Sequence, residues 1–71
     1  GKTVKAPMPG SILRFTVKPG DTVTKSQTVV ILEAMKMENS IATDYAGTVK
    51  RLLVKEGTTV AADAPMIEIE A

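Results

Sequence analysis

The 71-residue sequence contains no cysteine, no histidine and no tryptophan, and Phe15 and Tyr45 are its only aromatic residues. Without cysteine the chain can form neither a disulfide framework nor a thiolate metal site. Without histidine it lacks the commonest general base, the usual orienting member of a nucleophilic triad and the commonest transition-metal ligand. Carboxylates remain, but Glu33, Glu38, Asp44, Glu56, Asp63, Glu68 and Glu70 are scattered among strand and turn signals. Catalysis by the domain itself is therefore not expected. Two aromatic residues make no stacking platform for bases. Nine Lys plus Arg against eight Asp plus Glu leave a net charge of +1 with no run of one sign, so nucleic acid is not an expected partner. No stretch approaches the roughly 20 apolar residues of a membrane span, and no basic-then-apolar leader opens the sequence; a soluble chain without direct membrane insertion is expected.

What is present is a 44% hydrophobic content drawn mainly from Val, Ile, Leu, Met and Ala, in a length that allows one domain over residues 1–71. A first residue of Gly1 rather than Met reads as a processed end or as a domain cut from a longer protein. Sliding the sequence on itself by 37 positions aligns Pro9 through Ala34 with Ala46 through Ala71 without a gap. Nine of the 26 pairs are identical: Gly10/Gly47, Arg14/Arg51, Val17/Val54, Lys18/Lys55, Gly20/Gly57, Thr22/Thr59, Val23/Val60, Glu33/Glu70 and Ala34/Ala71. Glycine marks backbone positions that need φ > 0 or close approach, so glycines in register imply that the halves repeat the same turns.

Each half reads as β structure. Ser11 to Val17, Thr28 to Ala34, Gly47 to Val54 and Pro65 to Glu70 are short runs rich in Val, Ile, Leu and Thr, bounded by Gly-, Pro- and Asp-containing turns. Val30 and Leu32 match Ile67 and Ile69 while Ile31 matches Glu68, the pattern of a half-buried strand with one apolar face common to both copies. Ile12, Phe15 and Val17, with their partners Val49, Leu52 and Val54, break that alternation between the first and second positions, which a β-bulge would restore. Two such units must pack on each other about a pseudo-twofold axis. The expected fold is all-β, a flattened antiparallel barrel or sandwich of about eight short strands.

If Thr3 to Ala34 repeats as Ser40 to Ala71, residues 35–39 belong to neither copy and join the halves at a tight connection, with Lys36 exposed near its tip. Gly, Asn, Asp and Pro are the usual residues of such a turn. Here two of the four methionines flank one lysine. Methionine is a flexible apolar residue used where a surface must fit a partner; a bare Met-Lys-Met tripeptide could equally be core filler beside a solubilising lysine.

Glu33-Ala34-Met35-Lys36-Met37-Glu38 resembles the attachment signature of the biotin carboxyl carrier and biotinyl domains of biotin-dependent carboxylases, decarboxylases and transcarboxylases. Ala6-Pro7-Met8-Pro9-Gly10 is similar to that family's opening segment, and Gly47-Thr48-Val49 with Val54-Lys55-Glu56-Gly57 to its second half. The resemblance covers essentially the whole chain. It implies a barrel-sandwich of two four-stranded sheets with Lys36 on the connecting hairpin, covalently biotinylated by a biotin protein ligase. It further implies that Glu33, Ala34, Met35, Met37 and Glu38 serve recognition by ligase and partners, and that biotin carboxylase and carboxyltransferase or decarboxylase components are those partners. A cytoplasmic setting follows, or an organelle matrix for a eukaryotic parent enzyme. Ser11 to Val23 has the spacing of its repeat partner, leaving no room for the protruding thumb of some acetyl-CoA carboxylase carriers. Two other readings stay open: a lipoyl carrier, whose lysine normally has an acidic residue and alanine beside it, and an unmodified β-hairpin interaction module.

Overall fold

Short runs of β-branched and aliphatic residues, punctuated by Gly, Pro and Asp, fold as eight strands and no helix. They are β1 (Lys2–Lys5), β2 (Gly10–Phe15), β3 (Thr22–Val23), β4 (Thr28–Ala34), β5 (Met37–Ala42), β6 (Gly47–Leu52), β7 (Thr59–Val60) and β8 (Pro65–Glu70). The structure, a computed structural model, describes all residues 1–71. One antiparallel sheet runs β1-β8-β6-β3 and the other β5-β4-β2-β7. A shift of 37 residues converts one order into the other, so the repeat in the sequence is the symmetry of the fold.

The halves interlace; they do not pack as separate units. Each sheet contains two strands of either half, and the stitching bonds come in symmetric pairs. Gly20 N–H donates to the Val49 carbonyl at 2.8 Å, and Gly57 N–H to the Ile12 carbonyl at 2.7 Å. The Gly20 and Gly57 φ values, 96° and 86°, lie in the left-handed region that glycine enters without a Cβ penalty. Gly10 serves close approach instead: a Cβ there would stand 2.5 Å from the Glu33 carbonyl oxygen, so β2 can lie against the end of β4 only without a side chain.

The expected bulge is present in both copies. The β2/β4 register slips between Ile12 and Arg14, and the β6/β8 register between Val49 and Arg51. A second symmetric pair slips at Val29 in β4 against β5 and at Met66 in β8 against β1. These bulges turn Val29 and Met66 fully inward, where Ile12, Val23, Val30, Leu32, Val49, Ile67 and Ile69 complete the core.

Two expectations need correction. β4 is not half-buried, because Ile31 is only 8% exposed. It is an inner strand whose outward neighbours are Arg14 on β2 and Ser40 on β5. The Arg14 side chain must cross the outer face of β4 to bring its guanidinium 3.8 Å from Glu38 on β5, and an arginine stem covers apolar surface while its head stays in water. The connection over 35–39 is also shorter than expected. Met37, Glu38 and Asn39 pair with Ala34, Glu33 and Leu32, which leaves Met35 and Lys36 as the whole turn.

Candidate functional site

A two-residue connection between antiparallel strands that follow the native twist requires φ > 0 at both positions. Met35 has φ 54° and Lys36 φ 64°. The geometry is that of a type I′ turn, which Asn-Gly ordinarily occupies. Every other non-glycine residue with positive φ belongs to a symmetric pair, Ser26 with Asp63. Met35 and Lys36 stand between the copies and have no counterpart. A residue with a Cβ loses about 1–2 kcal/mol in this region, so the tip holds strained backbone without the residue types that would relieve it. Such strain concentrates where a side chain must be presented in one direction.

The Ala34↔Met37 pair closes the turn, followed by Glu33↔Glu38 and Leu32↔Asn39. Alternation then divides the sequence-predicted site residues. Met35 is 91% and Met37 65% exposed, and Lys36 is exposed between them. Glu33 and Glu38 are exposed and directly opposed on the outer face. Opposed like charges on neighbouring strands are unfavourable, and Arg14 offsets part of this at Glu38. Ala34 is buried at 8% exposure, so of the five flanking residues it offers a partner the least side-chain surface. No carboxylate lies within ion-pair distance of Lys36.

Two residues at the site were not singled out from sequence. Arg14 is one, and only its match to Arg51 set it apart. Asn39 is the other: half-buried beneath the tip, its Nδ2 donates to the Met37 carbonyl at 3.1 Å and to the Leu32 carbonyl at 3.4 Å. The one surface groove, lined by Phe15, Val17, Leu52, Val54, Lys55 and Glu56, does not include any residue of the tip. No three Asp or Glu residues come together as a metal site, and no helix is long and apolar enough to cross a membrane.

The strain carries a prediction. Met35→Asn, which tolerates φ > 0 by local hydrogen bonding, is expected to stabilise the domain by about 0.5–1 kcal/mol in urea titration. A loss of stability would show that the turn is not strained at Met35.

The family model described as biotin-requiring enzyme matches residues 2–69. A biotin carboxyl carrier protein of Streptococcus mutans is 52% identical over 67 residues, 94% of this chain. The chain spans about half, 52%, of that relative's length. Among solved structures, Kluyveromyces lactis urea carboxylase superposes with a TM-score of 0.91 at 28% identity, over 97% of this chain and 6% of that one. The lipoyl domain of the Azotobacter vinelandii 2-oxoglutarate dehydrogenase complex superposes with a TM-score of 0.80 at 21% identity, over 100% of this chain and 98% of that one, which shows a common fold.

Proposed function

As the chain belongs to the family of biotin-requiring enzymes, we propose that it is a biotin carboxyl carrier domain whose Lys36 holds biotin through an amide bond. The observation that carries this reading is the placement of Lys36, exposed between two exposed methionines on the one turn that the internal symmetry does not generate.

The domain supplies no base beside the amine, so activation comes from a biotin protein ligase presenting biotinyl-adenylate. Lys36 Nζ attacks the acyl carbon; a C–N bond replaces the acyl C–O bond to phosphate, AMP leaves, and the amine proton passes to ligase or solvent. The formal net charge falls from +1 to 0. Bound biotin supplies a ureido nitrogen that takes up and releases a carboxyl group. The chain's own part is mechanical: the rigid double sheet fixes the anchor, and the long lysine stem lets the cofactor reach two active sites in turn at high effective concentration. Those sites belong to biotin carboxylase and to carboxyltransferase or decarboxylase components, in the cytoplasm or an organelle matrix. The carrier catalyses neither step. Met35 and Met37 give ligase and partners an adaptable apolar contact, with Glu33 and Glu38 as charged flanks.

The test is to incubate the domain with biotin, ATP and a catalytic amount of biotin protein ligase, then measure intact mass and map peptides. One biotin per chain is expected, on Lys36 and on none of Lys2, Lys5, Lys18, Lys25, Lys50 or Lys55. Label spread over several lysines, or lipoate accepted from a lipoate ligase in place of biotin, would overturn the proposal.

A further inference from the structure

Alternation along β5 directs Asn39 and Ile41 toward the interior. Ile41 is buried core. Asn39, one inward-facing position nearer the turn, is a polar group in the third residue pair below Met35 and Lys36. Its equivalent in the other half is Lys2, which extends over the Tyr45 ring, 5.6 Å from the centroid, so the symmetry of the fold does not call for an amide here.

The two atoms that Asn39 Nδ2 reaches are both main-chain carbonyl oxygens, on different strands. The amide NH2, with two N–H donors, can satisfy both at once whereas the amide oxygen could satisfy neither, and this fixes which way the amide points. One bond holds Met37, the residue after the lysine, and the other ties β5 to Leu32 on β4. The side chain thus adds a cross-strand bond at the third pair below the strained turn and a bond up to Met37 of the closing pair, across the stretch where a hairpin end would otherwise fray.

We infer that Asn39 is a positioning residue for the modification of Lys36: its side-chain amide clamps both arms of the hairpin, so that the turn presents the amine in one direction to the ligase. The inference rests on the carrier reading above. The clamp touches neither cofactor nor reacting atoms and acts through the backbone of Met37. Its loss lowers the fraction of encounters in which the amine is aligned, and therefore kcat more than KM.

The experiment compares the wild-type chain with Asn39→Asp, which keeps the shape but has no donor when ionised, with Asn39→Ala, and with Ser40→Ala as an outward-facing control on the same strand. Ligase kinetics, urea midpoint and amide hydrogen exchange are measured on each. Both Asn39 variants should be labelled with a kcat reduced at least roughly fivefold at nearly unchanged KM. Exchange should quicken at Met37, which pairs with Ala34 across the base of the turn, but not at Val30 or Ile67, and Ser40→Ala should behave as wild type. Labelling of both variants at the wild-type rate would overturn the inference while leaving the carrier reading intact. Exchange accelerated throughout the core would also overturn it, by showing that Asn39 only supports the fold. A wild-type chain that takes no biotin would overturn the carrier reading, and the inference with it.

Discussion

Lys36→Arg is expected to reduce biotin incorporation to background while leaving the urea midpoint where it is in the wild type. Arginine keeps the charge, the length and the exposed position, but its guanidinium is not an acyl acceptor, so the only property removed is the nucleophile. Lys36 makes no ion pair and is exposed at the turn, so its replacement should move folding free energy by no more than about 0.5 kcal/mol. The converse substitution is Gly20→Val. Nothing stands within 4 Å of a Cβ at Gly20, yet its φ is 96°, so the backbone conformation itself imposes a penalty of more than about 1 kcal/mol on a β-branched residue. That variant should lose stability and, while folded, still be labelled at Lys36. Residual label on the arginine variant, or equal losses of stability in the two, would refute the separation of site from scaffold.

The separation was legible because the sequence writes its scaffold twice. Matched glycines, the parity break after Ile12 and after Val49, and the unpaired residues between the copies all point to features that the structure contains. What escaped reading was whatever depends on neighbours from the other half. Nothing in Thr28 to Ala34 says that the strand will lie between β2 and β5, so the covering of Ile31 by the Arg14 stem was not foreseeable. Nor does local pattern disclose the slips at Val29 and Met66, since consecutive apolar residues mask the alternation. The turn was placed correctly but drawn too long, because Met-Lys carries none of the Asn-Gly chemistry by which a two-residue hairpin declares itself. Function and legibility conflict at this point: the residues that present a modifiable amine between two adaptable apolar side chains are the ones that hide the turn.

That conflict supplies the sharpest test of whether the position of the lysine matters beyond its exposure. Exchanging Met35 and Lys36, to give Ala-Lys-Met-Met, leaves composition, charge and core unchanged. Both residues already occupy positive-φ positions, and Met35, at 91% exposed, has as little contact to lose. Stability should therefore stay within about 0.5 kcal/mol of wild type. The amine, however, now leaves the backbone one residue earlier, from a Cα about 3.8 Å away, and from the first rather than the second residue of the turn. Part of that displacement is recoverable by the flexible stem, but only with a new stem direction and with the methionine contacts shifted to one side. Where reaction depends on alignment, misplacement by about an ångström can cost on the order of a hundredfold. The exchanged domain is expected to fold normally and to be biotinylated at least roughly tenfold more slowly by a catalytic amount of ligase. Wild-type labelling rates from that chain would mean that any exposed lysine on the hairpin suffices, and the strained turn would need another explanation.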